Sequence, residues 1–223
     1  MDAPHVCIDR SVPPPTLKER MALIKGAKWL PGDAIRAGFM DGDSDLRGRV
    51  QTQAQEWTRH VDLELYFGAL GNADIRISFS QDPGSWSYIG TQCHSIPANE
   101  ATMNFGWLTK DSSDEEVKRV VLHEFGHALG CIHEHQNPAG GIKWNKPAVY
   151  KYYEGPPNNW SRADVDQNLF RLYDEKLTVH TKLDPKSIMM YPIPKAFTLD
   201  GFEVGLNSTL STNDVAYIKE QYS

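Results

Sequence analysis

The alternation of apolar residues with other residues predicts strands in the first half of the chain. A two-residue period appears in residues 35–39, 61–67, 75–79 and 103–107, where apolar side chains recur at every second position. Successive side chains of a strand point to opposite faces, so this pattern gives each segment one face suited to a core. We predict one strand from each of these four ranges.

A spacing of three to four residues between apolar side chains predicts helices elsewhere. It occurs in residues 46–61, 113–129, 161–173 and 211–222. The second of these begins with Ser113 three residues before Glu116, the spacing of a capping box, and Ser211 is suited to cap the last. The chain is therefore expected to combine strands with helices, two of them long.

Composition limits the class of protein. The chain has 223 residues and a formal net charge of −6, with 40% hydrophobic residues. This length suffices for one sizeable core or for two lobes around a cleft. The mild negative charge gives no support to nucleic-acid binding, which typically requires a basic surface. No apolar run is long enough to span a bilayer, so we expect no membrane partner.

The cysteines do not form a disulfide framework. There are three of them, Cys7, Cys93 and Cys131, and an odd number leaves at least one unpaired. The sequence leaves open whether Cys93 and Cys131 form a bridge or whether Cys131 is simply buried as a small apolar residue.

The strongest chemical signal is the motif H-E-x-x-H-x-x-G-x-x-H, which begins at His123. His123 and His127 are one helical turn apart, so both imidazoles can reach one metal ion. Gly130 permits a sharp turn that returns His133 as a third ligand. Three protein ligands leave a tetrahedral Zn²⁺ one open position for water, and Glu124 lies beside the metal as a base. We therefore predict a catalytic zinc site.

A second motif, Ser187-Ile188-Met189-Met190-Tyr191-Pro192, follows further along the chain. Together with the three-histidine motif it resembles the metzincin zinc endopeptidases, and the resemblance is greatest to the astacin family. Glu134 directly after the third histidine and the Ser-x-Met-x-Tyr pattern are astacin-like, which makes Met189 the structural methionine of the turn. The matrixins are the runner-up, and their Leu-Met-Tyr-Pro turn selects Met190 instead. The sequence leaves the methionine register open.

The resemblance implies an α+β, zincin-like fold. Its N-terminal lobe, about residues 27–133, would hold a twisted, mostly parallel sheet and two long helices. A smaller irregular lobe, about residues 134–223, would lie across the active-site cleft. Residues 1–26, with three consecutive prolines, form an N-terminal extension or pro-segment-like arm ahead of the catalytic domain at 27–223. In the family an exposed edge strand pairs with the substrate backbone, and we assign it to residues 101–108.

The resemblance also implies the activity. The chain is expected to be a zinc-dependent endopeptidase acting on protein or peptide substrates, with a zinc-activated water and Glu124 as general base and then general acid. Tyr191 is expected to stabilise the transition state, and the segment from Pro192 to Phe202 to line the pocket after the scissile bond. A secreted or extracytoplasmic location is expected, although residues 1–20 lack the regions of a signal peptide. The alternative is a noncatalytic zinc-containing protein that binds peptides.

Three weaker signals remain. Asp41, Asp43 and Asp45 imitate the start of a calcium loop, but the required glycine and glutamate are missing, so a turn and helix start is the better interpretation. His135 is expected near the metal ligands or at the surface. Cys7 lies in the N-terminal arm, and in matrixin precursors a propeptide cysteine blocks the zinc. Latency through Cys7 and a free thiol in the arm both stay open.

Overall fold

The computed structural model describes residues 6–8, 10, 27–81, 84–156, 158–173 and 182–223. A five-stranded sheet forms the centre of the N-terminal half. Its strands are β1 (Ala34–Phe39), β2 (Glu64–Phe67), β3 (Ile75–Ser78), β4 (Trp86–Ser87) and β5 (Met103–Asn104). The order is β2-β1-β3-β5-β4, and every pair is parallel except β5 with β4. The expected mostly parallel sheet is confirmed.

The assignment of the edge strand to residues 101–108 was wrong. β5 lies between β3 and β4, so its backbone is paired on both sides, and β4 is the last strand on this side of the sheet within the described part of the chain. Alternation at Met103 and Phe105 predicted a strand, and both side chains are fully buried. A two-residue period reports burial of one face, however, and says nothing about which neighbours a strand has.

Two long helices pack against each other beside this sheet. They are α1 (Ser44–Thr58) and α2 (Asp114–Ala128), and both were expected. Asp43 caps α1 by accepting from the backbone N–H groups of Asp45 and Leu46, and Ser113 caps α2 through the N–H of Glu116. Asp41 accepts hydrogen bonds from Ser78 and Phe79. The interpretation of residues 41–45 as a turn and helix start is thereby confirmed.

The C-terminal half is less regular. Its helices are α3 (Lys146–Tyr153), the short α4 (Arg162–Val165), which continues as one π-helical turn (Asp166–Phe170), and α5 (Thr212–Tyr222). The helix predicted for residues 161–173 therefore ends at Phe170. Ser211 caps α5 in a capping box with Asp214, as its sequence position predicted.

Two hydrophobic clusters lie on either side of the site described below. One joins the sheet, α1, α2, Met189 and the buried side of α5, including Ile218 and Tyr222. The other joins α3, α4, Met190, Tyr191 and the residues of the arm at Val6 and Cys7. All three cysteines are buried and none is in a disulfide, so Cys93 and Cys131 are not bridged. Within the described residues, no helix has the length and apolar character needed to cross a membrane.

Candidate active site

The C-terminal end of α2 carries His123, Glu124 and His127, all of them buried. The helix stops because the N–H of Gly130 bonds to the carbonyl of His127 and that of Cys131 returns to Gly126. Gly130 has a φ of 94°, a conformation that side chains with a Cβ rarely adopt. The turn brings His133 back to the other two histidines.

The three imidazoles converge with their Nε2 atoms. The Nδ1 of His123 lies 2.8 Å from the carbonyl oxygen of Ile188, and that of His127 lies 2.8 Å from the carbonyl oxygen of Cys131. The Nδ1 of His133 lies 3.3 Å from the side-chain oxygen of Gln136. A carbonyl oxygen can only accept, so Nδ1 carries the proton and Nε2 of each neutral ring carries a lone pair. The three lone pairs are directed at one point between the rings.

Such an arrangement is suited to a bound cation. The Nε2 atoms of His127 and His133 lie 3.0 Å apart, and that of His123 is buried without a hydrogen-bond partner among the described residues. Burial lowers the pKa of His127 to about 4 and those of His123 and His133 well below their ordinary value, so protons are disfavoured there. Neutral imidazoles with tethered Nδ1 atoms suit Zn²⁺.

Cys7 places a fourth potential donor atom beside the three imidazoles. Its Sγ and the nitrogens of His123, His127 and His133 all lie within 4.8 Å of one another. Three nitrogens and one sulfur form a donor set typical of tetrahedral zinc. Spacing in the sequence pointed only to the histidines, because Cys7 lies more than a hundred residues away and on a separate segment.

Glu124 lies beside this set without being part of it. Its Oε2 is 3.3 Å from Cys7 Sγ, and burial raises the pKa of the carboxyl to about 8, although the contact with Cys7 acts in the opposite direction. Thiolate and carboxylate would repel at this distance, so a proton lies between the two atoms. Glu124 thus shares a proton with the Cys7 sulfur as long as the arm stays in the cleft.

The turn at Ser187–Tyr191 fixes the position of His123. Asp214 accepts from the hydroxyl of Ser187 at 2.6 Å and from the N–H of Ile188 at 2.8 Å, and the Ile188 carbonyl holds His123. A Cβ on Gly126 would lie 2.3 Å from the sulfur of Met189, so only glycine allows this contact with α2. Met190 points to the opposite cluster.

We expect Asp214→Ala to destabilise the protein, because Asp214 closes the capping box of α5 and also holds the turn. Removing a buried acceptor of several N–H and O–H groups should lower the free energy of unfolding by about 2–4 kcal/mol. Urea unfolding of the zinc-saturated protein measures this difference. Asp200→Ala, at an exposed ion pair with Lys143, is the matched control and should change stability little. Equal effects of the two substitutions would contradict the structural role.

Tyr191 and His135 pack around the third ligand. The Tyr191 ring centre lies 4.5 Å from that of His133 and 4.3 Å from that of His135, and its hydroxyl donates to the Cys7 carbonyl. His135 is buried, and its Nε2 lies 2.7 Å from the Asn168 carbonyl. It therefore lies next to the ligands rather than at the surface. Glu134, half-buried nearby, accepts from Asn137 and from the N–H of Asp184.

A pocket adjoins Glu124 and contains a residue that the motif analysis missed. Arg119 lines it together with His123, Glu124 and the segment of the arm at Val6 and Cys7. Arg119 is one helical turn before His123, so the same four-residue spacing that pairs the histidines predicts that it shares their face of α2. The wall opposite includes Pro192 of the expected segment, together with Leu206 and Asn207, which lie beyond it.

The described part of the arm runs from the metal ligands to the sheet edge. The N–H of Ile8 donates to the carbonyl of Ser85 at 3.0 Å, directly before β4. The guanidinium of Arg10 lies over the Trp86 ring, 4.1 Å from its centre. The other residues of the arm, at 1–5, 9 and 11–26, lie outside the described part of the chain.

Comparisons with known proteins agree with this geometry. No protein-family model matches the chain. The zinc metalloproteinase nas-24 of Caenorhabditis elegans is 25% identical over 167 residues, which are 74% of this chain and 36% of that protein. The chain thus spans about a third of the length of this curated relative.

Solved structures give closer matches. A structure of myroilysin is 47% identical with a TM-score of 0.87, covering 89% of this chain and 97% of that one. A crystal structure of myroilysin is 44% identical with a TM-score of 0.71, covering 98% and 90%. High choriolytic enzyme 1, a hatching enzyme zinc-protease of the medaka fish Oryzias latipes, shares the fold with a TM-score of 0.60 at 16% identity, covering 87% and 93%. The resemblance found in the two motifs is confirmed, and the chain belongs to the astacin family of metzincin zinc metallopeptidases.

Proposed function

We propose that this protein is a zinc-dependent endopeptidase that cleaves protein or peptide substrates. One observation carries the proposal: three neutral imidazoles direct their Nε2 lone pairs at one point, and a buried carboxyl group, Glu124, lies beside that point as a noncoordinating group. Metal ligands and a separate proton acceptor are the two requirements for hydrolysis by an activated water.

His123, His127 and His133 would hold the zinc, which when bound polarises the scissile carbonyl and acidifies a water molecule. Glu124 takes a proton from the attacking water and delivers it to the leaving amine. Burial supports this shuttle, because it raises the pKa of the carboxyl towards neutrality, where a group both accepts and donates protons. The Tyr191 hydroxyl, now donating to the Cys7 carbonyl, donates to the carbonyl oxygen of the substrate when the arm has left.

The substrate backbone pairs with the sheet at β4. Among the residues that the structure describes, this strand has a neighbour on one side only, and the arm already donates one hydrogen bond to Ser85 just before it. An extended peptide can add to such an edge through main-chain hydrogen bonds, which fix the scissile bond without demanding a particular sequence. The arm therefore occupies the position that we assign to the substrate.

We further propose that residues 1–26 are a pro-segment and that 27–223 form the catalytic domain, in two lobes that meet near residue 133. Cys7 blocks the enzyme in two ways: its sulfur completes the zinc donor set, and it engages the oxygen of Glu124 that would accept the water proton. Ile8 and Arg10 hold the arm at the sheet edge through a backbone hydrogen bond and a cation–π contact. The family supports a secreted or extracytoplasmic location.

The alternative is a noncatalytic zinc protein whose four donors, Cys7 included, are permanent. A closed donor set is typical of structural zinc. The position of Cys7 on an N-terminal arm, far from the histidines in sequence, favours a removable donor, because structural ligands usually come from the packed domain. A structural zinc site would also leave Glu124 without a role, because this carboxyl group is not one of the zinc donors.

Removal of the metal separates these possibilities at low cost. We expect casein zymography to show a band of clearing for the activated protein, and a chelator to abolish it, because the uncharged histidines cannot activate water alone. Added zinc should restore the band. A band that persists in chelator would contradict zinc-dependent cleavage, and no band under any condition would favour the noncatalytic alternative.

A further inference from the structure

We propose that Gln136 is a positioning residue that sets how tightly the third histidine, His133, holds the zinc. The inference rests on the zinc site of the proposed function and adds a residue that neither the motifs nor the comparisons assign. Gln136 is fully buried although its side chain is polar, and its amide contacts two groups of opposite kind. One contact is with a metal ligand, and the other is with the end of a helix in the C-terminal half.

The backbone between His133 and Gln136 brings their side chains together. Residues Glu134–Gln136 form a 3₁₀ turn that begins after His133, and the N–H of Gln136 donates to the carbonyl of His133 at 3.1 Å. Side chains three residues apart eclipse each other in such a turn, so the amide of Gln136 lies beside the imidazole. The Nδ1 of His133 is 3.3 Å from the Oε1 of Gln136. The carbonyl of Gln136 accepts from the N–H of Tyr173 at 3.0 Å, which fixes the end of the turn.

The π-helical turn Asp166–Phe170 fixes the orientation of the Gln136 amide. The last carbonyls of a helix have no partner within that helix, and the carbonyl of Gln167 is one of them. It accepts from the Nε2 of Gln136 at 2.8 Å. Because a carbonyl oxygen can only accept, the amide nitrogen faces Gln167 and the amide oxygen faces His133. The Nδ1 of His133 therefore carries the proton, and its Nε2 keeps the lone pair that a zinc ligand needs.

His133 differs from the other two ligands in the group that holds it. The Nδ1 atoms of His123 and His127 face main-chain carbonyls at 2.8 Å, and no substitution removes a main-chain carbonyl. The contact of His133 is longer and depends on one side chain. The acceptor behind a ligating histidine fixes the tautomer and the orientation of the ring, and its loss typically lowers metal affinity by about 10- to 100-fold. Zinc affinity should therefore depend on the side chain at position 136.

Zinc affinity tests the proposal in the full-length Cys7→Ser protein, in which no thiolate compensates for a loosened histidine. Gln136→Met keeps the length of the side chain but removes both polar contacts. We expect it to lower the association constant for zinc, measured by competition with a chromophoric chelator, by about 10- to 100-fold. The cobalt-substituted protein gives a second measurement. Its visible d–d absorption should weaken in Gln136→Met, because a ring that can rotate lets water enter the coordination shell.

Gln136→Glu separates the two contacts of the amide. Glutamate keeps an oxygen acceptor for His133 but takes away the N–H donor that the Gln167 carbonyl uses. That carbonyl then lacks its partner, so both variants should lower the urea midpoint of the metal-free protein. Zinc affinity should fall only in Gln136→Met. In Gln136→Glu it should equal or exceed that of the parent, because a carboxylate makes the ring a stronger ligand. A structural role alone would lower the affinity in both variants.

Gln55→Met is the matched control. Gln55 is a partly buried glutamine of α1 that donates to the carbonyl of Leu65 at 2.8 Å and accepts from Thr58 at 3.1 Å, and its loss should leave zinc affinity unchanged. The proposal is overturned if Gln136→Met binds zinc within about threefold of the parent, or if Gln136→Glu loses as much affinity as Gln136→Met. Zinc binding is measured without a substrate, so this result does not depend on cleavage. Absence of peptide cleavage in every variant would contradict the proposed peptidase function and leave the comparison of affinities valid.

Discussion

Glu124→Gln should lower peptide cleavage by about 10³-fold while the protein keeps its zinc. The substitution preserves the shape of the side chain but removes the group that takes the proton from water. Zinc should remain, because the three histidines His123, His127 and His133 are still present and Glu124 is not part of the donor set. The measurements are kcat/KM on a fluorogenic peptide and zinc content after dialysis, both in the Cys7→Ser background.

The control for this change lies on the same helix. Glu115 is exposed in the first turn of α2, and Glu115→Gln also removes one negative charge from that helix. It should leave both rate and zinc content unchanged. If Glu124→Gln kept more than about a tenth of the parent rate, another group would have to serve as the base, since proton transfer by a positioned side chain typically contributes at least 10²-fold. If it lost zinc instead, the carboxylate would be a ligand and the proposed division of roles would be wrong.

The convergence of His123, His127 and His133 was predictable because their geometry is local. Residues four apart on a helix share a face, and a glycine after the helix explains the return of His133. Spacing gave no such signal for long-range contacts, and only the resemblance to matrixin precursors pointed to Cys7. The fold alone brings Cys7 next to the histidines. Which of Met189 and Met190 is the structural methionine of the turn depends on the hydrophobic cluster that each side chain joins, and two adjacent methionines in a sequence do not reveal this.

The sheet shows the same limit. Strands β1, β2, β3 and β5 lie in segments that were predicted from alternation, whereas β4, which consists of Trp86 and Ser87 alone, was not predicted. Residues 101–108 were therefore assigned as the edge strand that pairs with the substrate, because their alternation was clear. The structure instead places β5 between β3 and β4. Arg119 could have been found from its four-residue spacing to His123. That its guanidinium lines a pocket beside Glu124 depends on the turn and the loop that form the opposite wall.

Cys7→Ser should raise the peptidase activity of the full-length protein by about tenfold or more, since the apparent activity of a blocked site scales with its open fraction. The serine hydroxyl is a far weaker zinc ligand than a thiolate, so the fourth donor position is released. The change also removes the thiol that engages Glu124 at 3.3 Å. Activation should be partial, because Ile8 still bonds to Ser85 and Arg10 still covers Trp86.

A metal-based measurement tests the same contact without relying on activity. With cobalt in place of zinc, a thiolate ligand gives a sulfur-to-metal charge-transfer absorption, which should be present in the parent protein and lost in Cys7→Ser. Cys93→Ala, at a free cysteine buried in the other cluster, should keep both the absorption and the low activity. An unchanged rate in Cys7→Ser without any thiolate absorption in the parent would remove Cys7 from the site. A lost absorption with no gain in rate would mean that the rest of the arm, rather than its sulfur, keeps the cleft closed.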